Sequence, residues 1–161
     1  MKNTTLCYIE KDGCYLMLLR NKKENDVNRG KWIGVGGHFE EGESPQDCLL
    51  REVAEETGLT LTGFVFRGIV TFIYGENETE YMHLFTSDSF TGDLHECDEG
   101  ELKWIRKEEI EELDLWEGDR LFMPKLIAGE KDIFMKLTYE GDRLVDATDT
   151  GVTQGTVLRV T

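Results

Sequence analysis

The chain has 161 residues, 39% hydrophobic and 32% charged, which suits one soluble globular domain and is too short for two ordinary ones. Its formal net charge of −15 argues against a nonspecific grip on a nucleic-acid polymer, whose phosphates it repels. No apolar run approaches a membrane span, and Met1-Lys2-Asn3-Thr4-Thr5 lacks a signal peptide's apolar stretch, so a cytoplasmic protein with no membrane partner is expected.

The first elements are two β-like runs at 5–10 and 14–20. Four cysteines, Cys7, Cys14, Cys48 and Cys97, stand far apart with no CxxC pair. They read as reduced thiols rather than a zinc site or a disulfide scaffold. Next come a glycine-rich turn, Gly34-Val35-Gly36-Gly37, and a loop, 37–45. A helix follows over 45–57, with Ser44 as N-cap, Pro45 in the first position, Asp47 closing a capping box and Gly58 as the stop.

That helix has two faces. Leu49, Leu50, Val53, Ala54 and Thr57 recur at helical spacing and should pack on a sheet. Glu52, Glu55 and Glu56 stand at i, i+3 and i+4, so three carboxylates share the other face, and Arg51 lies one turn before Glu55. Three like charges repel unless a cation occupies the space between them. A solvated acidic face is the ordinary alternative, but no lysine sits at the neighbouring helical positions. Hard oxygen ligands beside a glycine turn suit Mg²⁺, with Mn²⁺ the alternative. A cation would also let so acidic a chain bind an anionic phosphate ligand.

Beyond the helix, strands are expected at 64–74 and 80–87 around a turn at 75–78, then at 102–105, 134–139 and 143–147, with a turn at 140–142. Further helices are expected at 107–113 and 119–128. Residues 1–147 read as one domain, and 148–161 as a tail or an edge strand. Strands before, between and after helices suggest an α/β fold with a mixed sheet.

The string Gly37-x5-Glu43-x7-Arg51-Glu52-Val53-x-Glu55-Glu56-x-Gly58-Leu59 matches the Nudix box at every defined position, and the chain is identified as a member of that family. The resemblance implies a Nudix α/β/α sandwich with a mixed central β-sheet. It implies that Glu52, Glu55, Glu56 and the Gly36 carbonyl hold a divalent metal, and that Arg51 and Glu43 keep loop and helix in register. A further acid usually comes from a loop outside the box. Glu99, in the acidic run before Leu102-Lys103-Trp104-Ile105, is the choice here, against a plain solvated loop. The implied reaction is attack of water on a phosphorus of a nucleoside diphosphate linked to another group.

The resemblance runs over about residues 4–147 and is strongest to the MutT-type enzymes that act on oxidised purine triphosphates such as 8-oxo-dGTP. Stretches that carry it include Gly30-Lys31-Trp32 and Leu115-Trp116-Glu117-Gly118-Asp119-Arg120-Leu121-Phe122. It implies that Tyr8, Lys23, Ile33, Phe72, Trp116, Asp119 and Phe122 surround a nucleoside triphosphate, with Trp116 stacking and Asp119 bonding the base. Core packing is the alternative for Trp116 and Phe122. Ile33 and Gly118 depart from that pattern, each replacing a polar residue. Two rivals remain at this point: a Nudix enzyme for another nucleotide, with Tyr74 and Tyr81 stacking a second base, and a non-catalytic nucleotide-binding module.

Overall fold

The computed structural model describes residues 1–76 and 78–150, and the backbone strand at 158–159. The chain begins with a hairpin, β1 (Lys2–Lys11) and β2 (Cys14–Arg20). Asp12 at φ 51 and Gly13 at φ 76 supply the two positive φ angles that a two-residue hairpin turn requires. Two short strands, β3 (Trp32–Ile33) and β4 (Val35–His38), precede helix α1 (Pro45–Thr57). Long strands β5 (Thr60–Tyr74) and β6 (Glu78–Thr91) follow, then β7 (Gly100–Arg106) and a 3-10 turn at Lys107–Glu112. Helix α2 (Asp119–Ile127), β8 (Ile133–Glu140), β9 (Arg143–Asp149) and β10 (Leu158–Arg159) complete the described chain.

The strand order is β10-β9-β8-β5-β6-β1-β2-β3, with β4 added on β1 and β7 on β2. β1 runs parallel to β6 and β5 parallel to β8, while the other pairs are antiparallel. The sheet is therefore mixed, as expected. Alternation along β1 divides the core in two. Leu6 and Tyr8 join a cluster with Phe122 and Leu126 of α2, whereas Cys7 and Ile9 join one with Leu49 and Val53 of α1. Helices thus cover both faces.

Helix α1 starts and stops where the sequence dictates. The Ser44 hydroxyl accepts from the Asp47 amide and the Asp47 carboxylate accepts from the Ser44 amide, at 3.1 and 3.0 Å. Gly58 closes the helix at φ 82.

Two expectations are corrected. Gly34-Val35-Gly36-Gly37 is not a turn, because residues 35–38 form β4, antiparallel to β1 with Gly36 opposite Leu6. The glycines bring the strand close: a Cβ on Gly36 would fall 1.9 Å from the Thr5 carbonyl oxygen. The helix expected at 107–113 is a 3-10 turn ending at Glu112. Strand β9 runs from Arg143 to Asp149, across position 147, and pairs with β10. The remaining tail, 151–157 and 160–161, and Asn77 of the expected 75–78 turn lie outside the described residues.

Candidate active site

Arg51 organises the surface of α1. Its Nε and Nη2 donate to both oxygens of Glu43, at 2.7 and 2.9 Å. Nη1 donates to Glu52 at 2.8 Å and to Glu55 at 3.2 Å, and Nη2 also reaches the His38 carbonyl at 3.0 Å. The planar fork suits this divergent set of acceptors, which an ammonium could not span. Its bonds hold the Glu43 carboxyl down at about 2, helped by the Glu40 amide. One residue thereby ties the end of β4, the 39–44 loop and the helix together. The sequence spacing pointed to Glu55 as the partner, and Glu52 and Glu43 are held at shorter distances.

Glu56 lies on the same helix but turns inward, 8% exposed, and its Oε2 accepts no hydrogen bond. Burial pushes its carboxyl up to about 9, the charges of Glu99 and Glu52 push the same way, and Arg20 and the Gly36 backbone oppose them. Glu52 lies against Gly37, where a Cβ would fall 2.5–2.7 Å from the Glu52 carboxyl. Glycine there leaves room for the carboxylate. Glu99 reaches this centre because Gly100 pairs with Arg20 across β7 and β2. Its Oε2 meets Arg20 Nη1 at 3.0 Å, and its Oε1 meets Lys23 at 3.7 Å.

The structure therefore brings Glu52, Glu56, Glu99 and Gly36 together, while the Glu55 side chain, 60% exposed, leans on Arg51. Among the described residues, no three acidic, imidazole or thiol groups converge tightly enough to form a ready-made metal cage. A buried carboxylate oxygen without a partner, flanked by two more carboxyls, is nevertheless the donor set that a hard cation fits.

A second group lies under α2. Tyr8 is fully buried against Tyr15 and Phe122, with ring centroids 5.5 and 6.4 Å away. Phe122 is likewise fully enclosed, so its ring belongs to the core. Asp119 is 4% exposed, no described residue bonds its carboxyl, and burial pushes that carboxyl up to about 7. The partly exposed Trp116 lies edge-on to Tyr139 at 5.5 Å, and Phe72 packs on Tyr139 at 6.2 Å. Lys23 is exposed on the loop after β2. Ile33 is not brought into this group: Trp32 packs with the α2-side cluster, and Ile33, next along the strand, packs with the α1-side cluster.

The family model for the NUDIX domain matches residues 3–126. The chain belongs to the Nudix family. The Nudix hydrolase YvcI of Bacillus subtilis is 31% identical over 144 residues, covering 86% of this chain and 87% of the relative. The oxidized purine nucleoside triphosphate hydrolase of Mus musculus is 31% identical over 115 residues, 71% of this chain and 74% of the relative. A MutT protein from Bacillus halodurans superimposes with a TM-score of 0.83 at 25% identity, covering 91% of this chain and 96% of that one. This Nudix domain is thus a hydrolase with the α/β fold of the MutT proteins.

Sequence reasoning missed Arg20, Asp26, Asn28 and Tyr139. The Tyr139 hydroxyl accepts from the Gly118 amide at 2.7 Å, and Asn28 Oδ1 accepts from Trp116 Nε1 at 2.9 Å. No motif or period marks these residues: Arg20, Asn28 and Tyr139 meet Glu99, Trp116 and Gly118, which come from loops far along the chain, and Asp26 matters only through Arg20 and Asn28.

Proposed function

We propose that this Nudix hydrolase is a divalent-cation-dependent pyrophosphohydrolase of purine nucleoside triphosphates, oxidised forms such as 8-oxo-dGTP included. It releases the monophosphate and pyrophosphate. The observation that carries the reading is the buried, unpartnered Glu56 oxygen amid the charges of Glu52 and Glu99. Glu52, Glu55, Glu56, Glu99 and the Gly36 carbonyl would hold Mg²⁺ or Mn²⁺, which supplies phosphate neutralisation, phosphoryl polarisation and a more acidic water. Arg51 orients Glu52 and Glu55 through its Nη1. Lys23, beside Glu99, offers an exposed ammonium to a phosphate.

For the base, Trp116 offers a partly exposed ring held edge-on to Tyr139, and Asp119 a buried carboxyl two residues before the core ring of Phe122. Tyr8, Phe72 and Phe122 pack in the cluster on that side of the sheet. The relatives named for oxidized purine nucleoside triphosphates favour a purine substrate, and one named nucleoside triphosphatase NudI favours the triphosphate more broadly. With Ile33 facing the other cluster, selectivity for the oxidised base rests on Asp119 alone. A single polar reader and an apolar wall discriminate weakly.

The test is a panel of purine and pyrimidine triphosphates, dinucleoside polyphosphates and nucleotide sugars, assayed with Mg²⁺ and with Mn²⁺ for pyrophosphate against orthophosphate. Purine triphosphates should give pyrophosphate, with a kcat/KM ratio for 8-oxo-dGTP over dGTP below about 10³. Orthophosphate as the product, or faster turnover of the dinucleotides, would overturn the reading.

A further inference from the structure

Beside the acidic centre, the loop at residues 21–31 is held by bonds that lead from one half of the site to the other. At its entry, Arg20 Nη1 pairs with Glu99 at 3.0 Å while Arg20 Nε pairs with Asp26 at 2.6 Å. Asp26 Oδ2 takes the guanidinium and its Oδ1 takes the Asn28 amide at 2.9 Å. Asn28 in turn accepts the Trp116 indole N–H. Backbone bonds close the loop on itself, from Arg20 N–H to the Lys31 carbonyl at 3.0 Å and from Gly30 N–H to the Arg20 carbonyl at 2.7 Å. Lys31 adds an ammonium 5.5 Å from the centroid of the Trp116 ring and pairs with Asp114 at 2.9 Å.

We propose that this loop is a strap keyed by Asp26, making Arg20, Asp26 and Asn28 positioning residues that set the Trp116 ring and the Glu99 carboxylate together. The role in turnover rests on the hydrolase reading above; the mechanical link does not. The side chain of Asp26 is 5% exposed, and its two oxygens point to different partners. An asparagine of the same shape can therefore serve only one of them. Whichever way its amide turns, an NH₂ group faces either the guanidinium or the Asn28 N–H. A stacking ring and a carboxylate both need fixed geometry to be useful, and here one buried carboxyl supplies it to both.

The experiment reads the Trp116 indole N–H by NMR in the metal-free, substrate-free protein, with the signal assigned through Trp116→Phe. Asp26→Asn and Arg20→Lys should each speed its solvent exchange at least about tenfold. Neither side chain touches the indole, so an effect must travel through the strap. Asn28→Ala should do the same and Asn28→Asp, which keeps an acceptor, should restore slow exchange. In turnover, Asn28→Ala should raise KM about tenfold with kcat little changed, whereas Asp26→Asn should also lower kcat about tenfold. Wild-type indole exchange in both Asp26→Asn and Arg20→Lys overturns the strap. Faster exchange in these variants, together with a wild-type protein that hydrolyses no nucleotide, upholds the strap and overturns the hydrolase reading instead.

Discussion

Burying the Glu56 carboxyl with Oε2 unpartnered costs on the order of 1–3 kcal/mol. A helix that needed only stability would place an apolar residue there. Glu56→Gln keeps the volume and removes the ionisable group, so the fold should survive with an unchanged or higher melting temperature. Turnover should fall at least about a hundredfold, roughly 2.7 kcal/mol of transition-state stabilisation; near-wild-type turnover under saturating metal would remove Glu56 from the chemistry. Asp119 makes the pH prediction. Burial raises its folded carboxyl from 3.8 to about 7, so the neutral acid is favoured in the fold. Its contribution is fully present below about pH 4 and is lost as pH rises through 7. The full linkage is about 4 kcal/mol, and Asp119→Asn escapes it. Between pH 4 and pH 8 the variant should gain at least about 4 °C on wild type in metal-free melts; parallel curves would show that the carboxyl ionises freely. Glu52, Glu55 and Glu56 were legible in the sequence because helical spacing is a local fact. The Arg20–Asp26 pair was not, because its meaning depends on Glu99 arriving 79 positions later in the turn before a paired strand.

At the scale of elements, β4 holds two adjacent glycines that are needed for different reasons. At Gly36 an added Cβ meets backbone, the Thr5 carbonyl, at 1.9 Å. Backbone cannot yield without breaking the β1–β4 ladder, so Gly36→Ala should cost several kcal/mol and lower the melting temperature by about 10 °C or more. At Gly37 the atoms nearest the added Cβ are the carboxyl end of the Glu52 side chain, which can swing aside. Gly37→Ala should keep its melting temperature within a few degrees and lose at least about tenfold in turnover. Equal melting losses in the two variants would undo this distinction. The same glycines explain why the strand escaped sequence reading: glycine is depleted in strands and marks turns, and only the close approach of β1 shows why a strand must contain it. The boundaries of β2 and α1 were readable, since a continuous apolar run ended by an arginine and a capping box with a terminal glycine are complete within their own segments. The 3-10 turn at Lys107–Glu112 was not, because its acidic composition satisfies either helix and only the packing of Ile110 decides.

Taken as a whole, the molecule carries 33 acidic against 18 basic residues, and its excess charge opposes compaction everywhere. The mixed sheet was readable as a class from the alternation of strands and helices, but the parallel pairings of β1 with β6 and β5 with β8 were not, since strand order depends on long-range packing. Arg51 relieves part of the repulsion on α1, yet it leaves Glu56 buried beside Glu52 and Glu99. A divalent cation at that centre would bind the folded chain and barely bind the unfolded one, whose carboxylates are scattered. Linkage then gives about 2.7 kcal/mol of stabilisation at a Mg²⁺ concentration about 100 times its Kd. For a chain of this length that is a rise of about 5–10 °C in melting temperature. General screening by salt also stabilises so acidic a protein, so the comparison must be made at constant ionic strength. The Glu52→Gln/Glu55→Gln/Glu56→Gln variant keeps all but three of the 33 acidic residues and lacks the three helix carboxylates of the centre. Its melting temperature should rise by less than about 2 °C on the same addition. An equal rise in both proteins would place the cation elsewhere on the acidic surface and leave the inward turn of Glu56 without its partner.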